Sequence, residues 1–180
     1  MLLSFLGRRR AREPKRVASV RRSRLSLEAL DDRINPTSPH FIGDASATLA
    51  SDGTLTVSWK EAGLGNNQNI DYTMSAVATG QFQWFNHGGN KPQGQPFQFG
   101  PETLSASGTF NSGQNGNITA SLSMAAPAPS QEVLDAGTSS HWVLQETVTY
   151  SDITLTDTTN GVDATVSPSA LGPVTIVVPT

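Results

Sequence analysis

The chain has 180 residues, no cysteine, 15% charged side chains and a formal net charge of −3. That length fits one domain plus a tail, the missing thiols exclude disulfides and thiolate metal sites, and the charge content falls below the roughly 25% of ordinary soluble domains. The charge is also divided: residues 1–33 hold ten basic and four acidic side chains and residues 34–180 hold two and eleven, so a +6 head precedes a −9 body.

The head opens on an apolar run, Met1 to Leu6, placed before the cluster Arg8–Arg10 rather than after it, and Val17 to Val20 is too short for a secretory apolar region. No segment approaches the roughly 20 apolar residues of a membrane-spanning helix, so no transmembrane span is expected. Residues 8–24 carry nine basic side chains around Pro14, which reads as a solvated, mostly disordered arm. A nucleic-acid role is not expected, because the acidic body would repel a phosphate backbone. Ser26–Arg33 suits a short helix, with Ser26 as cap, Leu27 and Leu30 on one face and Pro36 as its end. The run Arg21-Arg-Ser-Arg-Leu-Ser-Leu-Glu-Ala-Leu-Asp-Asp-Arg-Ile-Asn-Pro-Thr-Ser38 resembles a head found on many planctomycete proteins: a basic stretch, Leu-Glu-x-Leu-Glu-Asp-Arg, then Pro-Ser. Asp31 stands where Glu is usual there, and Pro-Thr-Ser replaces Pro-Ser. The resemblance implies an export or sorting signal and an extracytoplasmic destination. Residues 1–40 are therefore expected to be a targeting segment and 41–180 a folded domain.

Beyond Pro39 the apolar period becomes two. Leu55, Val57 and Trp59 alternate with Thr54, Thr56 and Ser58, and Asp52-Gly53 predicts a hairpin back to Ala45–Ala50. Ile70, Tyr72, Met74 and Ala76 alternate, then Phe82 and Trp84, then Leu104, Ala106 and Phe110. After an Asn115-Gly116 turn come Ile118, Ala120, Leu122 and Met124. Trp142, Leu144, Val148 and Tyr150 predict the longest strand, and the parity then flips to Ile153 and Leu155, which predicts a bulge or bend at Ser151-Asp152. Asn160-Gly161 is another turn, and Val174, Ile176 and Val178 form a last strand. Eight or nine short strands without a convincing helix predict an all-β, antiparallel β-sandwich of immunoglobulin-like arrangement, with a closed barrel as the rival. The expected core is Leu55, Val57, Trp59, Tyr72, Met74, Phe110, Leu122, Leu144, Val148, Tyr150, Ile153 and Leu155. Two longer connections are expected, Asn86 to Pro101 and an extended, mobile one from Ala125 to Thr138.

Several body phrases, Val57 to Thr73, Asn86-His-Gly-Gly-Asn-Lys-Pro92, Ser107-Gly-Thr-Phe-Asn111, Asn115-Gly-Asn-Ile-Thr119 and Val148 to Gly161, resemble in this order a group of small secreted bacterial proteins frequent in actinomycetes. That group has no assigned activity, so the resemblance implies secretion and transfers no catalytic residue. Its members carry a cysteine near the position of Trp84 or Phe85 and another in the Pro-rich stretch, and this chain has neither.

Candidate sites follow from residue type. Trp84, Phe85, Asn86 and His87, with Phe97 and Phe99 nearby, join aromatic rings to amides as a sugar-binding face does. Adjacent strand residues face opposite ways, so at most one of Trp84 and Phe85 is core while the other needs cover. Glu61 with Asp71, and Asp157 with Asn160 and Asp163, are oxygen-rich enough to suggest calcium, though the first loop reads more simply as Gly and Asn turn chemistry and the second lacks EF-hand spacing. His40, His87 and His141 show no zinc spacing, and no Gly-x-Ser-x-Gly elbow occurs. The expected function is an extracytoplasmic β-sandwich, secreted or on the cell surface, with a structural or binding role, no cofactor, no metal and no catalysis. Its partner would be a cell-surface glycan or another surface protein. A carbohydrate-binding module is the alternative, and a secreted hydrolase the third reading.

Overall fold

The computed structural model describes residues 38–86, 88, 94–137 and 141–179, within a compact unit spanning Pro36–Thr180. The basic arm and the expected Ser26–Arg33 helix lie outside the described residues, as does His87. The domain is an all-β sandwich of two sheets packed face to face, not a closed barrel. Its first strand starts at His40, one residue ahead of the expected boundary.

One sheet contains β1 (His40–Phe41), β2 (Ala45–Leu49), β3 (Leu55–Ala62), β6 (Ile118–Met124) and β9 (Val166–Ser167). β6 runs along one edge of β3, while β1 and β2 share the other edge, and β2 pairs in parallel with β9. The other sheet has the order β10 (Leu171–Val178), β7 (Trp142–Asp157), β4 (Asn69–Asn86), β5 (Phe97–Asn111), with β8 (Val162–Ala164) continuing the line of β10 along β7. Asp52-Gly53 forms the expected hairpin: Gly53 takes φ +84 and Asp52 Oδ1 accepts from the Thr54 amide at 2.9 Å.

Ten of the twelve expected core residues are buried, and Phe110 and Leu122 are half-buried against them. Alternation explains the result, since side chains at every second strand position share one face. The parity flip is a bulge: Ser75 faces Thr154 and Val77 faces Ser151, so β7 carries one extra residue there, and Asp152 takes φ +50. Two further bulges sit on the outer strands of the same sheet, at Gly100 with φ +84 and Gly172 with φ +110, each followed by a proline. Edge strands tolerate proline because its missing N–H faces no partner.

Three expectations need correction. Ile70–Ala76 and Phe82–Trp84 belong to one 18-residue strand, because even parity persists through Ala78 and Gly80. The 86–101 connection is shorter than expected, since β5 already begins at Phe97. Within 125–138 a five-residue helix, α1 (Gln131–Asp135), replaces the expected extended chain; the Ser130 hydroxyl accepts from the Val133 amide and caps it. α1 closes a second small core, in which Val133 meets Phe82, Trp84 and Leu144 beyond the main one.

Candidate functional site

The aromatic candidates separate. Trp84 is only 6% exposed, its Nε1 donates to the Val133 carbonyl at 2.8 Å, and Gly137 lies so close that a Cβ there would be 2.5 Å from the indole. It therefore has no open face for a sugar, which corrects its assignment as a stacking residue. Phe85 and Asn86 are half-buried, with Phe85 turned to the opposite side of the sheet from Trp84. Phe99 stacks obliquely on Phe82 with ring centres 5.0 Å apart, and both rings belong to the second core.

The oxygen-rich loops do not converge either. Glu61 points into the sandwich, whereas Asp71 lies on the outer face and accepts from Thr109 Oγ1 at 2.5 Å. Asp157 is buried and caps its own turn, accepting from the Asn160 amide and from Asn160 Nδ2 at 2.9 and 2.6 Å. Asp163 faces outward and accepts from Thr156 Oγ1 at 2.7 Å. Among the described residues no group of three or more potential ligands is placed to hold a metal ion.

Instead, the structure buries Glu61 and Asp157, expected as loop oxygens, together with Glu146, which the sequence did not single out. Glu61 on β3 and Asp157 on β7 are both fully buried and approach each other from opposite sheets, beside Tyr72 of β4, which pairs in register with Asp157. Tyr72 donates its hydroxyl to Glu61 Oε2 at 2.6 Å, while Glu61 Oε1 has no hydrogen-bond partner. Burial pushes the Glu61 carboxyl up to about 7; the Tyr72 hydrogen bond opposes that rise and the Asp157 charge adds to it. Burial and the bond to Glu61 push the Tyr72 phenol upward as well. Trp59 and Phe110 wall this cluster, with ring centres 4.7 and 5.8 Å from Tyr72. It is a sealed core feature.

Glu146 differs because it meets a cavity. It lies on the inward face of β7 between Leu144 and Val148, is 2% exposed, and its Oε1 has no hydrogen-bond partner. Burial raises its carboxyl to about 7. The cavity of about 540 Å³ beside it is bounded by the β2–β3 hairpin at Ser51 and Asp52, the Ala125–Pro129 segment and the end of β10. At this point Glu146 faces Phe82 on β4 and Ile176 on β10 in register. A second depression of about 570 Å³ lies on the outer face of the other sheet, where Asp44, Lys60, Thr119 and Ser121 surround the half-exposed Ile42. It offers hydroxyls and one charge of each sign, while Trp59, which also borders it, is buried with its ring packed on Tyr72 and Phe110.

No family model matches the chain, and no curated protein is significantly similar to it. No helix among the described residues is long and apolar enough to cross a membrane.

Proposed function

We propose that this chain is an exported β-sandwich that acts outside the cytoplasm by binding rather than by catalysis. The observation that carries the reading is the cavity at Glu146: a concave, mostly apolar site bordered by a buried carboxyl, one oxygen of which has no partner, has the composition of a ligand pocket. The outer faces support an extracytoplasmic setting. Most of their cross-strand side-chain contacts join neutral groups, as in Thr56–Ser123, Ser75–Thr154, Thr147–Thr175 and Asn69–Asn111, with Asp71–Thr109 and Asp163–Thr156 as the charged exceptions, and neutral pairs keep their strength when salt varies. The basic head, through its resemblance to planctomycete sorting segments, supplies the route.

The test is fractionation of the tagged full-length chain and of a form lacking residues 1–38, both produced in a planctomycete host. Full-length protein should be recovered outside the cytoplasm and the truncated form inside it. Equal cytoplasmic accumulation of both overturns export. A polysaccharide pull-down on the same material addresses the carbohydrate alternative, which now rests on Phe85 in place of Trp84. Retention that Phe85→Ala abolishes in a folded protein would favour that alternative.

A further inference from the structure

Glu146 is a buried carboxyl that borders a cavity. A desolvated carboxylate keeps its penalty unless a cation or donor meets it, and Oε1 meets neither. The surrounding cavity, about 540 Å³, falls within the size range of about 300–1,000 Å³ typical of small-molecule sites. Its walls include Ala126, Pro127, Pro129, Ile176 and Val178, and among the described residues that line it the other ionisable side chain is Asp52. Among the described residues that line it there are two acids and no base, a balance complementary to positive charge. Asp52 is already occupied by the Thr54 amide, which holds its carboxyl below the usual range, so it contributes field at the rim rather than a seat.

We infer that this pocket binds a small organic cation, a primary amine on an apolar body, with the ammonium seated on Glu146 and the body against the proline and aliphatic walls. The inference rests on the binding reading above and names its ligand class. The stem of such a ligand is accommodated by Ile176 and Val178 from β10 on one side and the Ala125–Pro129 segment on the other. Among the described residues the ionisable groups facing Glu146 are few. Tyr150 on its own strand has a phenol that burial and the Glu146 charge push up to about 12, and its hydroxyl donates to the Gly53 carbonyl at 3.0 Å. Asp52 approaches from the hairpin, while β4 and β10 present Phe82 and Ile176 in register and Ala125–Pro129 has no ionisable side chain. Binding therefore follows the ionisation of Glu146 itself.

The experiment titrates the full chain with n-hexylamine and with hexan-1-ol by isothermal calorimetry between pH 5 and pH 8. Hexylamine should bind saturably and hexan-1-ol at least tenfold more weakly. With the Glu146 carboxyl at about 7, hexylamine affinity should rise on the order of 100-fold from pH 5 to pH 8, and binding at pH 6 should release close to one proton. Glu146→Gln should abolish both the preference for amine and the proton release; it is isosteric and removes a buried charge, so thermal unfolding should show it folded. Val178→Phe, which narrows the pocket and leaves Glu146 in place, should weaken hexylamine at least tenfold, while Glu61→Gln should change nothing. Equal binding of alcohol and amine overturns the cation assignment but leaves a binding pocket. Unaltered hexylamine binding in Glu146→Gln or Val178→Phe overturns the site. Binding of neither compound overturns the site and removes the pocket as support for the binding reading, whatever fractionation shows.

Discussion

Among single residues, Tyr72 matters most for its chemistry, because its hydroxyl is the donor that satisfies half of the fully buried Glu61 carboxyl. Removing a donor from a buried acceptor leaves the acceptor desolvated and unpaired, which costs about 1–3 kcal/mol and more for a charged group. Tyr72→Phe should therefore lower stability by about that amount in urea unfolding. The loss should be larger at pH 8 than at pH 5, because the bond favours the ionised form of Glu61 that dominates above about 7. Equal losses at both values would mean that Glu61 stays protonated throughout. Gly80 shows a different single-residue constraint. A Cβ there would sit 2.0 Å from the Thr147 carbonyl oxygen and 2.7 Å from the Phe99 ring. Gly80→Ala must part β4 from β7 and displace Phe99, and overpacking of this kind costs about 1–3 kcal/mol, readable as a lower urea midpoint.

Elements were legible where parity was unbroken, and the bulge in β7 was legible because parity broke. Tyr150 and Ile153 are both buried, so one residue between them had to be surplus, and Asp152 at φ +50 is that residue. Deleting Asp152 should therefore be tolerated: Tyr150, Ile153 and Leu155 then alternate without interruption, and Thr154 and Ser151 keep their partners Ser75 and Val77. Deleting Thr56 from the regular strand β3 should not be, because it turns Val57, Trp59 and Glu61 to the outside. Near-ultraviolet circular dichroism and the cooperativity of urea unfolding separate the outcomes, with a folded Asp152 deletion and an unfolded Thr56 deletion expected. The helix α1 was not legible, since five residues are too few to show a helical period and the alanines and prolines before it read as extended chain. The burial of Trp84 depends on that helix, 49 residues away at Val133, so an aromatic pair that looked half-exposed was covered by an element the sequence reading lacked. The buried acids carried a signal that went unused: Glu61 shares the parity of Leu55 and Trp59, Glu146 that of Leu144 and Val148, and Asp157 that of Ile153 and Leu155.

For the whole molecule, those acids make stability a function of pH with an unusual sign. Glu61 and Glu146 each have a folded-state carboxyl at about 7 against an ordinary 4.5, so the folded chain holds protons that the unfolded chain releases. Their contribution to stability is fully present below about 4.5 and is lost as pH rises through about 7, after which both are ionised in either state and the profile flattens. Asp52 acts in the opposite direction but only below its ordinary 3.8, outside this window. For Glu146, where burial is the sole cause, the change amounts to roughly 3 kcal/mol across the window, at about 1.4 kcal/mol per pH unit. Urea midpoints should therefore fall between pH 4.5 and pH 8, a range over which proteins held together by ion pairs ordinarily change little or gain. Glu146→Gln does not titrate, so it should match the wild-type chain near pH 4.5 and exceed it at pH 8. Glu61→Gln should flatten the remaining slope, because Asp157 then faces a neutral amide in place of a second charge. A wild-type profile that rises from pH 4.5 to 8, or a Glu146→Gln curve parallel to it, would show that the carboxyl finds water or a cation inside the sandwich.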